Sequence, residues 1–359
     1  MKTKKRVVLG MSGGVDSSVA AALLKKRGYD VIGITLQLLP KENETHGSCC
    51  NLNAIGDAKR VAYSLGIPHY TVNARETFEK NVISDFVSQY VSGYTPNPCV
   101  ECNKYIKFDE MRQKALELDA DFIATGHYIQ RRYNPFSKSF DLKKAKDPAK
   151  DQSYFLYMLT DEQLRYTLFP LGGFLKSEIR KMAEDFKLVT AKKAESQEIC
   201  FVTKDTYKNF IESRLNGEVI EPGPIVDTSG KLLGMHKGIY HYTIGQRKGL
   251  GIAAPEPLFV LKINPADNSI VVGKRGDMAS KTVFLRRFSQ VNASEAIIGK
   301  TFDVKTRYQM TPCQGRIVGI EGDTATLELD HAQEFISPGQ SGVLYAKDRV
   351  VGGGIILSA

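Results

Sequence analysis

The chain has 359 residues, 42% hydrophobic and 25% charged, with 49 basic against 40 acidic side chains and a formal net charge of +9. That length accommodates two or three domains and a large core, and the composition is ordinary for a soluble globular protein. No apolar run approaches a membrane span, so a membrane partner is not expected. The basic start Met1–Arg6 runs into a strand and a glycine loop rather than a signal segment, which predicts a cytoplasmic setting where six cysteines need not form disulfides.

In chain order, Arg6–Gly10 reads as a strand and Ser17–Arg27 as a helix. Between them stands Gly10-Met11-Ser12-Gly13-Gly14-Val15-Asp16-Ser17-Ser18. Amides at a helix start, with its positive dipole end, suit an anion, and glycines let the backbone approach it. Ser12, Ser17 and Ser18 add hydroxyls, and Asp16 can cap the helix or hold a magnesium ion. No Gly-Lys-Ser/Thr follows, so this is not a Walker loop. It resembles the Ser-Gly-Gly-x-Asp-Ser loop of the ATP pyrophosphatase superfamily.

Val31–Leu38 reads next as a strand, Ala54–Leu65 as a helix, His69–Val72 as a strand and Thr77–Val91 as an amphipathic helix. A proline-rich loop at 94–98 leads through Cys99-Val100-Glu101-Cys102 to a helix at Ile106–Leu118 and a strand at Phe122–Thr125. Alternating strands and helices predict a parallel sheet with ligands at the carboxyl ends of its strands. After Phe201 the character changes. Helix Thr206–Leu215 is followed by Gly217, Pro222, Gly223 and Pro224, and then by short strands and glycine turns. These include Leu258–Ile263, Ile270–Val272, Thr301–Thr306, Gly315–Ile320, Thr324–Leu329, Ser341–Tyr345 and Ile355–Leu357, a pattern for a small antiparallel barrel. The fold class is therefore α/β, with an N-terminal parallel-sheet domain expected over 1–208, a small mainly-β domain over 209–275 and an antiparallel β-barrel over 276–359; the loop's resemblance implies that the first is adenine-nucleotide-hydrolase-like.

Arg131, Arg132, Lys138, Lys143, Lys144, Lys146 and Lys150 cluster with Tyr133, Phe136 and Phe140 interleaved. Cations among aromatics suit nucleic acid, and a solvated hairpin is the plain alternative. A lone Cys-x-x-Cys is compatible with redox, metal or no chemistry, and a closed four-thiolate zinc site is not expected. Cys313 reads as a buried structural thiol; Cys49 and Cys50 receive no assignment.

Larger motifs carry a second resemblance. Gly10–Ser17, Thr95-Pro96-Asn97-Pro98, Cys102-Asn103-Lys104, Ala124-Thr125-Gly126-His127-Tyr128, Lys150-Asp151-Gln152-Ser153-Tyr154, Ile199-Cys200-Phe201 and His241-Tyr242-Thr243-Ile244-Gly245-Gln246-Arg247-Lys248 stand in the order of the tRNA-specific 2-thiouridylase family. The chain resembles that family over essentially its whole length. The resemblance implies ATP-dependent replacement of the 2-oxygen of the wobble uridine (position 34) by sulfur, in tRNAs for Lys, Glu and Gln. It implies Cys200 as persulfide carrier, charged by a cysteine desulfurase or sulfur-relay protein, and Cys102 as nucleophile and resolving thiol, leaving a Cys102–Cys200 disulfide. Both thiols need a lowered pKa, for which Lys104 is the cation expected nearby.

By the same carry-over, Gly10, Met11, Ser12, Gly13, Gly14, Val15, Asp16 and Ser17 take the ATP phosphates with Mg2+, while Leu36 and Gly126 line the adenosine site. Asn97, Pro98 and Cys99 face the target base, and His127, Lys150, Asp151, Gln152, Arg307, Tyr308 and Gln340 touch tRNA. The chain departs from the pattern at Cys99, where many members have Asp. With Cys102 and Cys200 this third thiol is the set for a 4Fe-4S cluster with one open iron, a rival to persulfide transfer. Two further alternatives stay open. Another adenylating enzyme of the superfamily would not need the paired thiols, and a tRNA-binding factor with a vestigial loop would not need Asp16.

Overall fold

The computed structural model describes residues 4–39, 52–195, 199–202, 206–215 and 221–358. Cys49, Cys50, Gly217 and the stretch Ser196-Gln197-Glu198 lie outside the described residues.

Val7, Val8 and Leu9 are fully buried, which places their strand at the centre of a sheet covered on both faces. This is β1 (Arg6–Gly10), flanked in parallel by β2 (Asp30–Gln37) and then β3 (His69–Asn73) on one side, and by β4 (Phe122–Ala124) on the other. Helix α1 (Val15–Lys26) covers one face, where Val19, Ala20 and Leu24 share a core with Val7 and Leu9. Helix α2 (Leu52–Leu65) adds Ala58, Val61 and Ala62 to the same core.

Residues 75–91 form a continuous helix, and so do residues 98–117, both interrupted by π-type turns. The second is a correction. The Cys99–Cys102 segment was expected in a loop, and it occupies the first turn of a helix. Asn97 caps that helix by accepting from the Cys99 amide at 3.2 Å, and Pro98 stands at the first helical position. Asparagine then proline is a helix-start signal, because proline's fixed φ suits that position and its missing N–H costs nothing there.

The basic stretch folds as a hairpin of β5 (Gln130–Asn134) and β6 (Ser139–Lys143). It leaves the parallel sheet, to which β7 (Thr167–Leu168) adds the last strand beside β4. A helix at Lys176–Asp185, not anticipated from sequence, buries Ile179 and Ala183 against α1.

Beyond helix Tyr207–Arg214, β8 (Gly223–Val226), β9 (Leu232–His236), β10 (Phe259–Asn264) and β11 (Ser269–Gly273) form a four-stranded sheet with its own core around Ile225, Val260 and Ile270. β8 begins at the Gly223-Pro224 pair that follows this helix. The C-terminal part comprises β12 (Ser280–Gln290), β13 (Thr301–Lys305), β14 (Cys313–Glu321), β15 (Thr324–Gln333), β16 (Ser341–Ala346) and β17 (Arg349–Ser358). Antiparallel pairing runs β12-β15-β14-β13-β16-β17 and returns to β12, closing a barrel as expected. The hairpin joins this barrel: Lys143 and Leu142 of β6 pair with Arg349 and Val350 of β17.

The barrel also grips the loop before the thiol helix. The Thr95 amide donates to Pro338 O at 2.8 Å, and Gln340 Nε2 donates to Thr95 O at 2.8 Å.

Candidate nucleotide and thiol site

The loop after β1 opens α1 through Gly14, whose missing side chain leaves the first-turn amides without a side-chain cap. Gly13 has φ +67°, and a Cβ there would lie 2.1 Å from Ala54 O, so backbone conformation and space both demand glycine. Ser17 Oγ accepts from the Ser12 amide and donates to Gly14 O, both at 3.2 Å, while Ser18 Oγ donates to Gly14 O at 2.7 Å. Asp16 accepts from Tyr128 Oη at 2.7 Å and from Lys176 Nζ at 2.7 and 2.9 Å.

A cavity of about 370 Å³ lies over this loop. Gly10, Met11, Ser12, Asp16 and Ser17 form its floor; Leu36, Gly126, His127 and Gln152 line its sides. Pro98, Cys99 and Cys102 come from one wall and Ile199, Cys200 and Phe201 from another. All three candidate thiols therefore face the space above the phosphate-type loop. Cys99 is exposed, Cys200 half-buried and Cys102 buried.

Among the described residues, the cation that lines this cavity is Lys107, not Lys104. Lys104 lines a second cavity of about 450 Å³ on the opposite face of the helix, with Glu101, Tyr157 and Arg287. Lys107 Nζ stands 3.4 Å from Nε2 of His127, whose Nδ1 is 2.7 Å from Thr125 Oγ1. Burial and then the Lys107 charge drive the His127 pKa well below its ordinary value, so its ring is neutral at pH 7.

Three domain profiles match in sequence: "tRNA methyl transferase HUP domain" over residues 5–204, "tRNA methyl transferase PRC-barrel domain" over 208–274 and "Aminomethyltransferase beta-barrel domain" over 280–356. The chain is 47% identical over 360 residues to a tRNA-specific 2-thiouridylase MnmA 2 of Thermoanaerobacter sp. (strain X514), covering 99% of both chains. It is 45% identical over 358 residues to tRNA-specific 2-thiouridylase MnmA of Clostridioides difficile (strain 630), again covering 99% of each. The chain belongs to the tRNA-specific 2-thiouridylase family. Among solved structures, NMN synthetase from Francisella tularensis is similar over 61% of this chain and 80% of its own, at 19% identity and TM-score 0.34.

Several residues that family membership brings into view lie outside the cavity lining. Gly13, Gly14 and Val15 shape the turn, and Asn97 caps the thiol helix. Lys150 Nζ pairs with Glu195 at 2.6 Å. Buried Asp151 accepts from the Ala145 amide at 2.9 Å and Ser153 Oγ at 2.6 Å, and Tyr308 Oη donates to Asp151 O at 3.0 Å. Arg307 lies 5.6 Å over the Phe335 ring, and Gln340 holds Thr95. Half-buried Cys313 sits in the barrel, its pKa raised by burial.

Magnesium delivered on a nucleotide asks the protein for one or two carboxylates, and Asp16 offers one. An iron–sulfur cluster fits less well. Among the described residues no group of three or more His, Cys, Asp or Glu is placed to hold a metal ion, although Cys99, Cys102 and Cys200 border one cavity. The cluster reading thus gains no geometric support.

Sequence reading missed two lysines at the loop. Lys176 contacts Asp16, and Lys193 Nζ donates to Gly13 O at 2.9 Å and Asp57 Oδ2 at 2.6 Å. Glu178 accepts from the Leu175 amide at 2.6 Å at the start of the helix that carries Lys176, but Leu175 offers no side-chain cap, so the sequence carries no N-cap signal for that helix.

Proposed function

We propose that this chain is an ATP-dependent tRNA-uridine 2-sulfurtransferase acting on the wobble uridine. The observation that carries the reading is the meeting of a pyrophosphate-type loop with Cys102 and Cys200 in one cavity. Uridine C2 is a poor electrophile and its oxygen a poor leaving group. That oxygen attacks the α-phosphorus of ATP, the α–β anhydride bond breaks with its electron pair on pyrophosphate, and the uridine N3 proton leaves. AMP is then the leaving group. The terminal sulfur of a Cys200 persulfide attacks C2 and expels AMP. The Cys102 thiolate attacks Cys200 Sγ, breaking the S–S bond toward the base. The electron pair left on the base takes up a proton at N3 from water, giving 2-thiouridine and a Cys102–Cys200 disulfide, which a cellular dithiol later reduces.

Magnesium, when bound, offsets phosphate charge, and Asp16 is the side chain that would hold it. Gly10–Ser17 cradle the phosphates and Leu36 and Gly126 the adenosine. Pro98 and Cys99 meet the extruded base, whose unstacking costs a few kcal/mol offset by pocket contacts. His127 and Gln152 reach the base side of the cavity, while Lys150, Asp151, Arg307, Tyr308 and Gln340 hold tRNA or the segments that meet it. The proposed substrates are the Lys, Glu and Gln tRNAs, the sulfur source a desulfurase or relay protein, the setting cytoplasmic, and the domain limits 208 and 275. The "methyl transferase" domain descriptions fit the residues less well, because methyl transfer uses neither this loop nor paired thiols.

The test is single-turnover thiolation of a wobble-uridine tRNA transcript with ATP and a desulfurase, reading 2-thiouridine on a mercury gel and pyrophosphate release. Wild type makes both. Cys200→Ser and Cys102→Ser release pyrophosphate but make no thiouridine. Thiouridine from both variants, or no tRNA-dependent pyrophosphate from wild type, overturns the reading.

A further inference from the structure

A Walker loop carries its own lysine to the phosphates, but Gly10–Ser17 contains none. The fold brings one from elsewhere. Lys176 opens helix Lys176–Asp185, and positions 176, 179 and 183 fall on one helical face. Burial of Ile179 and Ala183 against α1 therefore turns Lys176 toward the loop that starts α1. Its side chain is 13% exposed, with Nζ 2.7 Å from Asp16 Oδ1 and 2.9 Å from Glu195 Oε1.

This arrangement solves an electrostatic problem. Asp16 sits in the first turn of α1, beside the amides that would receive an anion, and a bare carboxylate there repels phosphate. Lys176 neutralises it. Glu195, which also holds Lys150, keeps the ammonium from leaving. Burial works to raise the Glu195 carboxyl, yet Lys150 and Lys176 outweigh it and hold it at about 2, so Glu195 stays ionised.

We propose that Lys176 is the phosphate cation of this loop, binding the β- and γ-phosphate oxygens of ATP and the departing pyrophosphate, with Asp16 and Glu195 holding it poised. The assignment rests on the reading that the loop takes ATP. When the α–β anhydride bond breaks, its electron pair stays on the pyrophosphate oxygen and the α-phosphorus bonds the uridine oxygen. Lys176 supplies a positive charge where negative charge develops.

The experiment measures binding of ATP, inorganic pyrophosphate and adenosine to the full chain by calorimetry, with tRNA-dependent pyrophosphate release alongside. Lys176→Ala, and Lys176→Gln to retain side-chain length, should each weaken ATP and pyrophosphate roughly ten- to a hundredfold. Adenosine affinity should stay as in wild type, and Lys176→Arg should restore most pyrophosphate binding. Equal loss for adenosine and ATP marks a purely structural lysine and overturns the assignment, as does unchanged pyrophosphate affinity in both neutral variants. A wild-type chain that binds adenosine but neither ATP nor pyrophosphate overturns the ATP reading along with it.

Discussion

Arg287 of the barrel reaches Glu101 of the thiol helix, with Nη2 3.0 Å from Oε2. Glu101 is 5% exposed, and Arg287 is held at φ +51°, a left-handed conformation that a side-chain-bearing residue rarely adopts. Glu101 lies between Cys99 and Cys102, so the barrel fixes the helix that presents both thiols. Together with the Pro338–Thr95 and Gln340–Thr95 contacts, this ties the C-terminal part of the chain to the thiol helix, although none of its described residues lines the cavity.

Removing the guanidinium leaves the Glu101 carboxylate without its ionic partner. Because Arg287 is about one-third exposed, solvent moderates the loss, and Arg287→Ala should cost roughly 1–3 kcal/mol. Urea unfolding measures it. Sulfur transfer should fall more than pyrophosphate release, because the thiols are displaced while the phosphate loop is not. Equal losses in both steps would contradict the positioning role.

Gly13→Ala tests the loop itself. The new Cβ meets Ala54 O at 2.1 Å, and φ +67° adds strain. The two together should cost at least about 2 kcal/mol and abolish nucleotide binding. Gly14→Ala, whose Cβ meets only Ser12 Oγ at 3.4 Å, is the contrasting control and should fold close to wild type.

His127 predicts a pH dependence. Burial, and then the Lys107 charge, hold its folded pKa well below the ordinary histidine value of 6.5. The unfolded chain therefore takes up a proton that the folded one refuses. The stability contribution is complete above pH 6.5 and is lost as pH falls toward the folded value. Denaturation midpoints should decline as pH drops below 6.5. His127→Gln, which cannot titrate, should flatten that decline; an unchanged slope would show that the ring is not held neutral.

The phosphate-type loop was legible because its chemistry is local: strand, glycines and helix start lie within nine residues of one another. The barrel was legible for a similar reason, since alternating short strands announce themselves. The thiol helix was not, because prolines at 96 and 98 suggested a loop, although Asn97-Pro98 is a cap followed by a first helical residue. Lys176 could not have been placed, since its partner Asp16 lies 160 residues away and only the α1 packing brings them together. Lys104 and Lys107 are three residues apart, and the π-type winding of residues 102–110 sends them to different cavities, a local departure from α-helical spacing that the sequence does not announce.

Thiol exposure makes a further prediction. Limited iodoacetamide should label Cys99 before Cys200, with Cys102 last. Chain purified without oxygen should carry far less iron than one four-iron cluster per molecule, because the described residues present no three-ligand group. Cys99→Ala should then retain sulfur transfer. About four iron atoms per chain, lost in that variant, would reinstate the cluster.

The hairpin separates two kinds of cation. Lys143 pairs with Asp348 at 2.7 Å, Lys146 with Glu178 at 3.0 Å and Lys150 with Glu195 at 2.6 Å. Arg131 donates to the carbonyls of Leu164 and Arg165, and Lys144 donates to that of Lys347. These groups brace the hairpin against the barrel and the N-terminal sheet. Arg132 and Lys138 are exposed and make no ion pair among the described residues, beside Phe136 at 97% exposure. Phosphate contacts set the salt dependence of RNA binding, so Arg132→Ala with Lys138→Ala should lower the slope of log affinity against log salt by about 1–2. Lys143→Ala with Lys146→Ala should instead lower the unfolding midpoint and leave that slope nearly as it was. If the braced pair moved the slope and the exposed pair did not, the hairpin would meet RNA on its other face.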